Sequence, residues 1–196
     1  MTGILPSKTT SVGKAAMSVL KIFGESGTEV RTVREHDAIA STLHGVGVRF
    51  EKWEAAKKLP ADASDEDILS AYRTSIDRLK AESGFQSEDV IAVTPNNPKK
   101  EELRKKFLDE HVHADYEVRF FVSGSGLFYL RINGRVYGVL CEQGDLISVP
   151  ANVKHWFDMG EEPDLKCIRL FTTPDGWVAK FTGDRIAKEF PTFEEF

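Results

Sequence analysis

Apolar and polar residues follow two different patterns along the chain, one typical of strands and one of helices. Residues 17–23 (MSVLKIF) and 46–53 (VGVRFEKW) are rich in β-branched and aromatic side chains, which predicts two strands. Between them, residues 36–43 predict a short helix that ends before Gly45.

The clearest helical pattern begins at Ser64, where Ser64 and Asp67 resemble a capping box with Asp in place of the usual Glu. The apolar residues that follow recur at helical spacing, and Gly84 suits the C-terminal end. They are Ile68, Leu69, Tyr72, Ile76 and Leu79. A further helix is predicted to open at Pro98 and to carry Leu103 and Phe107.

From His111 to Phe181 the pattern changes to short strands separated by turn residues. Asn133-Gly134, between LFYLRI and RVYGVL, is a strong hairpin signal. Strands that repeat at short, regular intervals favour an antiparallel sandwich or barrel. The predicted fold class is therefore α+β and mainly β, a small antiparallel β-barrel with helices mostly in the N-terminal half.

Composition narrows the function classes. The 196 residues fit a single domain, and 41% hydrophobic with 29% charged residues is ordinary for a globular protein. A net charge of −5 offers no positive field to attract nucleic acid or anionic lipid, and no apolar run is long enough for a membrane span. Cys141 and Cys167 lack CxxC spacing and suggest reduced thiols in a cytoplasm. We expect a cytoplasmic monomer without nucleic-acid or membrane partners.

The first sixteen residues are polar and small, without the apolar core of a signal peptide. They are interpreted as a flexible tail, or as residues ahead of a start at Met17. The single domain is therefore predicted to span residues 17–196.

Histidine is scarce, with five in the chain, and three of them lie between positions 111 and 155. His111, His113 and Glu117 share the same parity, which predicts that they project from one face of a single strand. The opposite face is apolar, with Tyr116, Val118, Phe120 and Val122. A solvent-facing polar edge or a core histidine would explain any one of these residues. Burying the whole group is costly unless something pairs with it, and a divalent cation offsets that cost.

The spacing of these residues resembles the two metal-binding motifs of the cupin superfamily. His111 to Glu117 reads HVHADYE and is followed after six residues by Gly124. Gly144 is followed after five residues by Pro150, and His155 stands five beyond that proline. The resemblance implies a double-stranded β-helix barrel with its metal-binding core at about residues 107–183, and His111, His113, Glu117 and His155 as ligands.

Two positions depart from the cupin pattern. Asn152 stands where the second motif usually has Gly, and Met159 where it usually has Asn. Asparagine tolerates a positive φ, so the turn can be retained.

Within the cupins, four blocks resemble the acireductone dioxygenase family: VRFEKW at 48–53, FLDEHVHADYEVRFFVSGSGLFYL at 107–130, VPANVKHWFDMG at 149–160 and IRLFTTPDGWVAKFTG at 168–183. The resemblance implies a dioxygenase of methionine salvage that cleaves 1,2-dihydroxy-3-keto-5-methylthiopentene with O2, using one Fe2+ or Ni2+ ion per chain. The Fe2+ form would give 2-keto-4-methylthiobutanoate and formate. The Ni2+ form would give 3-methylthiopropanoate, formate and carbon monoxide.

Arg119 shares its parity with Glu117, which predicts that it either hydrogen-bonds to substrate oxygen or holds Glu117 in place. The resemblance places Phe107, Phe157 and Trp177 along the substrate pocket, and Phe157 can share a face with His155.

Four further polar residues have less specific interpretations. Glu110 and Asp115 are either acceptors for a ligand imidazole or solvent-exposed residues. His36 and His44 are expected on the surface.

The sequence is also compatible with two other functions. One is a cupin binding or sensor module that carries metal without turnover. The other is a cupin sugar isomerase, which needs no oxygen.

Overall fold

The computed structural model describes residues 17–60, 62–173 and 177–196. The α-helices are α1 (His36–His44), α2 (Asp65–Ala71), α3 (Arg73–Ser83) and α4 (Lys100–Leu108), and a 3-10 turn spans Ile186–Glu189. The strands are β1 (Val19–Gly24), β2 (Glu29–Val33), β3 (Arg49–Lys52), β4 (Ser87–Val93), β5 (His111–Val112), β6 (Glu117–Ser123), β7 (Gly126–Ile132), β8 (Arg135–Cys141), β9 (Asp145–Val149), β10 (Lys154–Asp158), β11 (Leu165–Phe171) and β12 (Lys180–Phe181). The predicted N-terminal tail, residues 1–16, lies outside the described residues.

The strands form two antiparallel sheets that enclose a shared core. One has the order β12-β5-β10-β7-β8-β1-β2, and the other the order β3-β9-β6-β11-β4. Phe128 and Val139 of the first sheet belong to the same buried cluster as Phe121 and Ile147 of the second. This arrangement, with α1 to α3 all before residue 84, confirms the α+β, mainly β fold class and its N-terminal helices.

The outer face of the five-stranded sheet is covered by α2 and α3. Val118, Phe120 and Val122 of β6, predicted as an apolar stripe, are buried in one cluster with Ile68 and Leu79 of these helices. Alternation along β6 therefore directs one set of side chains to the helices and the other to the shared core. Tyr116, assigned to the same stripe, is 44% exposed.

The prediction of one helix from Ser64 onward is wrong, because the structure has two helices that meet at Tyr72 (φ −107°, ψ 10°). The Tyr72 ring packs on Phe120 at 4.5 Å between ring centroids, and this contact outweighs a weak local preference for continuing the helix. The predicted ends are confirmed: Ser64 Oγ accepts a hydrogen bond from the Asp67 amide, and Gly84 is left-handed with φ +75°.

The sequence patterns do not predict two of the strands, β2 and β4. β2 is mostly exposed and β4 is half-buried without alternation, and each is an edge strand with one neighbour. An edge strand need not bury a whole face, so its residues carry a weak periodic signal. The hairpin at Asn133-Gly134 is confirmed, with φ +51° and +74°.

The single strand predicted to carry His111, His113 and Glu117 is wrong. β5 ends at Val112 in the seven-stranded sheet, and β6 begins at Glu117 in the five-stranded sheet. The chain crosses between the sheets at a bend where Asp115 accepts hydrogen bonds from the amides of Tyr116 (2.7 Å) and Thr172 (3.1 Å). These bonds replace the ladder that a continuous strand would have provided.

Among the described residues, no helix has both the length and the apolar character needed to cross a membrane; α3, the longest, has 11 residues.

Candidate metal centre

The four residues predicted as ligands come together where the two sheets approach each other. His111 lies directly opposite His155 in the β5–β10 pair, His113 lies in the bend that follows β5, and Glu117 opens β6. All four side chains are buried, and their donor atoms lie within 4.8 Å of one another. The predicted metal-binding site is therefore present.

Backbone carbonyls fix two of the imidazoles. His111 Nδ1 lies 2.7 Å from the Asp109 carbonyl, and His155 Nδ1 lies 2.8 Å from the Val153 carbonyl. A carbonyl accepts only, so each Nδ1 carries the proton and each Nε2 is directed to the centre. This tautomer presents Nε2 to a metal ion.

The position of Glu117 provides a test of whether a cation suits the site. Glu117 Oε2 lies 2.9 Å from His155 Nε2 and 3.0 Å from His113 Nε2. His155 already donates from Nδ1, and a neutral imidazole can donate only once. The short contact therefore requires either a second proton on the ring or a cation between the ring and the carboxylate. Three imidazoles and one carboxylate are a suitable donor set for a divalent transition metal.

The pKa shifts indicate an ionised Glu117, and they have opposite directions for His111 and His113. Burial, aided by the neighbouring His155, lowers the pKa of His111 to about 4. Burial opposes ionisation of Glu117, but the charge of Arg119 and hydrogen bonds from His113 and His155 outweigh it and hold the Glu117 pKa well below its usual range. Burial also opposes protonation of His113, yet its hydrogen bond to Glu117 raises the pKa.

Asn152 supports the site through its backbone. It adopts φ +64°, the left-handed conformation expected when it replaces glycine in the second motif. Its amide donates to the His113 carbonyl at 2.8 Å. The turn before β10 is thereby tied to the bend that carries His113.

Arg119 touches Glu117 directly. Its Nε donates to Glu117 Oε1 at 2.8 Å, and the residue is only 5% exposed. Among the described residues, Nε is the one nitrogen of this guanidinium with a hydrogen-bond partner. Arg119 therefore holds the carboxylate, and no described residue accepts a hydrogen bond from its other N–H groups.

Aromatic rings surround the Arg119 guanidinium. Its Cζ lies 4.7 Å from the ring centroid of Phe157, 5.6 Å from Trp177 and 5.7 Å from Phe107. The structure thus brings the three proposed pocket residues to one place beside the metal centre. Phe128, which the sequence reasoning did not select, lies 5.8 Å away in the same group.

Neither Glu110 nor Asp115 accepts a hydrogen bond from a ligand imidazole among the described residues. Glu110 is buried, but it accepts hydrogen bonds from Thr182 Oγ1 (2.7 Å) and Arg131 (3.3 Å). Asp115 holds the bend described above. Both therefore support the chain path next to the ligands.

His44 is exposed, as expected, and His36 reaches the surface only in part. His36 is half-buried, stacks on Phe50 at 5.0 Å and lies 3.6 Å from the fully buried Asp145. The polar cluster around Asp145 is not predicted from the sequence, because an aspartate after Gly144 looks like an ordinary turn residue.

Arg169 was also missed. It lies on β11 opposite Arg119, and its Cζ is 5.4 Å from the Trp177 ring. One signal was available: Cys167, Arg169 and Phe171 alternate along a strand, so an arginine on the apolar, inward face could have been noticed.

A surface cleft of about 940 Å³ lies apart from the metal centre, between α4 and residues 185–192. Much of its charge is already paired, since Arg104 binds Asp158 and Glu194, and Lys100 binds Glu162. The chemistry described above therefore belongs to the buried centre between the sheets.

Comparison with known proteins gives consistent matches. The model of the ARD/ARD′ family matches residues 20–179. Acireductone dioxygenase of Methylococcus capsulatus is 58% identical over 181 residues, covering 92% of this chain and 97% of that protein. Acireductone dioxygenase of Aquifex aeolicus is 57% identical over 179 residues, covering 91% and 98%.

A solved structure agrees in fold. Acireductone dioxygenase from Bacillus anthracis, with a cadmium ion in its active centre, superposes with a TM-score of 0.76 at 33% identity, covering 86% of this chain and all of that chain.

Proposed function

This chain belongs to the acireductone dioxygenase (ARD/ARD′) family, and from that premise we propose that it is a metal-dependent dioxygenase that cleaves an acireductone with O2. The observation that carries the proposal is the buried set of three imidazoles and one carboxylate with Arg119 and aromatic rings beside it. The proposed substrate is 1,2-dihydroxy-3-keto-5-methylthiopentene, in methionine salvage.

One ion, Fe2+ or Ni2+, would be held by His111, His113, Glu117 and His155. When bound, it would act as a Lewis acid that binds and orients the oxygens of the substrate.

Residues of the chain orient the carboxylate ligand, bind the substrate and exclude water. Arg119 binds Oε1 of Glu117 and so holds the carboxylate in one orientation, which leaves Oε2 facing His113 and His155 and would make it the oxygen available to the ion. The other N–H groups of Arg119 are placed to donate to an oxygen of the anionic enediolate, which offsets its charge in a buried site. Phe107, Phe157 and Trp177 exclude water and give the apolar methylthio end of the substrate a surface to contact.

The decisive experiment mixes metal-loaded protein with the acireductone and oxygen. We expect oxygen uptake with release of formate, and the accompanying product identifies the ion: the 2-keto acid for Fe2+, or carbon monoxide with 3-methylthiopropanoate for Ni2+. Uptake no faster than in buffer would refute the proposal and favour a binding or sensor module. Turnover of a sugar without oxygen would favour an isomerase.

A His113→Ala variant tests whether the imidazole of His113 is a metal ligand. Loss of one imidazole should lower oxygen uptake and metal affinity at least about 100-fold, because loss even of groups that only orient a ligand costs 10–100-fold. Full metal occupancy in this variant would exclude His113 from the ligand set.

A further inference from the structure

A row of three charged side chains crosses the inward face of the five-stranded sheet at the metal centre. Arg119 of β6 lies opposite Arg169 of β11, and Arg169 lies opposite Asp89 of β4. Residues directly opposite each other on paired strands share a face. Arg119 is engaged by Glu117, whereas Arg169 has no part in the metal chemistry described above.

Asp89 fixes the guanidinium of Arg169. Arg169 Nε donates to Asp89 Oδ1 at 2.9 Å, and Nη2 donates to Oδ2 at 2.6 Å. A two-pronged pair of this kind sets the orientation of the guanidinium plane as well as its position. The Arg169 cation is therefore held in one place at the edge of the site.

The Trp177 indole lies close to both guanidinium groups. Its ring is 5.6 Å from Arg119 Cζ and 5.4 Å from Arg169 Cζ, and it packs on Phe171 with 4.8 Å between ring centroids. Trp177 belongs to no helix or strand, so these contacts hold the ring in place of a backbone ladder. Cation–π contacts are attractive at such distances.

The Trp177 ring is also close to a metal ligand, with 6.2 Å between its centroid and that of His113. Its Nε1 is buried and has no hydrogen-bond partner among the described residues. A buried donor without a partner is costly, and an acceptor on a bound substrate would relieve that cost.

We propose that Asp89 and Arg169 are positioning residues that brace the Trp177 indole beside the metal centre, so that Trp177 forms a fixed wall of the substrate site. The role in substrate binding rests on the proposed dioxygenase function. Arg169 acts through Trp177, since among the described residues its hydrogen bonds go to Asp89 and not to a metal ligand.

Tryptophan fluorescence tests the brace without substrate. Trp53 and Trp156 are 5% and 1% exposed, whereas Trp177 is half-buried, so acrylamide quenching of the metal-loaded protein reports mainly on Trp177. A Trp177→Phe variant identifies the Trp177 signal by difference. Asp89→Asn and Arg169→Gln should each increase the quenching of that signal, while Arg169→Lys, which keeps a cation but loses the fork, should give an intermediate value.

Steady-state kinetics gives the second readout. Asp89→Asn and Arg169→Gln should raise the KM for the acireductone about threefold to tenfold with a smaller change in kcat, as expected for loss of a cation–π brace. Metal stoichiometry should stay at the wild-type value, because no ligand is altered.

Glu88→Gln is the matched control. Glu88 is the neighbour of Asp89 on β4, but it pairs with Arg73 and Lys80 of α3 on the other side of the strand. This variant should keep wild-type quenching and KM.

Several results would overturn the brace: wild-type quenching in either Asp89→Asn or Arg169→Gln, or the same increase in Glu88→Gln. If acrylamide quenching changes as expected in the variants but the wild type consumes no oxygen, the proposed function is refuted and the brace is still supported. Normal turnover with unchanged KM in both variants would refute the role in substrate binding.

Discussion

Two buried carboxylates lie on the inward side of the fold at opposite ends of β9. Glu117 is paired with Val149 at one end, and Asp145 is paired with Lys52 at the other. They are 3% and 0% exposed. By burial and charge alone the two acids look alike, yet only one belongs to a site of chemistry.

The difference lies in what surrounds each carboxylate. Asp145 accepts hydrogen bonds from the Ser18 hydroxyl (2.5 Å), the Glu142 amide (2.8 Å) and the Lys52 ammonium (2.9 Å), all of which are good donors as they stand. Glu117 faces His113 and His155, and its short contact with His155 requires either a second proton on that ring or a cation. A carboxylate with enough donors stabilises the fold as it stands, whereas a carboxylate beside three imidazoles can also bind a metal ion.

The largest effect that would separate the two sites is the response of stability to metal. Adding Ni2+ at about 100 times its Kd should raise the free energy of unfolding of the metal-free protein by about 2.7 kcal/mol. The increase corresponds to a rise in Tm of roughly 5–10 °C for a domain of this size. His113→Ala should abolish this rise.

Asp145→Asn is the counterpart at the other end of β9. It should lower the free energy of unfolding by about 2 kcal/mol, because charged hydrogen bonds in a buried place are lost. The rise in Tm on adding Ni2+ should stay the same as in the wild type. Thermal unfolding with and without Ni2+ measures both quantities. A variant of Asp145 that lost the metal response would show that the two sites are not independent.

The metal ligands could be predicted from the sequence more completely than the path of the chain around them. His111, His113, Glu117 and His155 stand at a spacing that is informative whatever the path of the chain between them. The assumed path was nevertheless wrong, because Asp115 bends the chain from one sheet to the other. Nothing local in HVHADYE distinguishes that bend from a continued strand.

The Asp145 cluster and the Arg169 brace were not predicted for a related reason. Ser18, Lys52 and Asp145 come from segments far apart in sequence, and their association depends on the pairing of β3 with β9. Arg169 and Asp89 likewise meet only because β4, which the sequence did not reveal, pairs with β11. Contacts that depend on an unrecognised strand cannot be read from periodicity.

A smaller effect concerns pH dependence near Asp145. Burial and the charge of Asp145 raise the pKa of Glu142 from 4.5 to about 6. Folding therefore favours the protonated acid, so the stabilising contribution is complete below the unfolded pKa near 4.5 and is lost as pH rises through about 6. Glu142→Gln stays neutral and should become progressively more stable than the wild type between these values.

The advantage of Glu142→Gln at pH 7 should be at most about 1 kcal/mol, because Glu142 is only half-buried and solvent screens its charge. Denaturant unfolding of the metal-free proteins at pH 4.5, 5.5 and 7 gives the difference directly. Glu101→Gln, on the exposed side of α4, should follow the wild type throughout. A constant difference between Glu142→Gln and the wild type across this range would contradict the assignment.

The smallest effect tests whether His36 belongs to the set that saturates Asp145. Its Nε2 lies 3.6 Å from Asp145 Oδ1, too far for a hydrogen bond, and this buried nitrogen has no partner among the described residues. His36→Phe would keep the ring stacked on Phe50 and remove an unpaired polar atom. We expect the free energy of unfolding to change by less than about 0.5 kcal/mol.

Ser18→Ala provides the reference change in the free energy of unfolding against which His36→Phe is compared. It removes a hydroxyl that does donate to Asp145, and it should cost about 1–2 kcal/mol. Urea unfolding of both variants beside the wild type measures the two changes on one scale. If His36→Phe cost as much as Ser18→Ala, Asp145 would depend on a titratable imidazole just as Glu117 does. The contrast between a saturated and an unsaturated carboxylate would then no longer separate the two ends of β9.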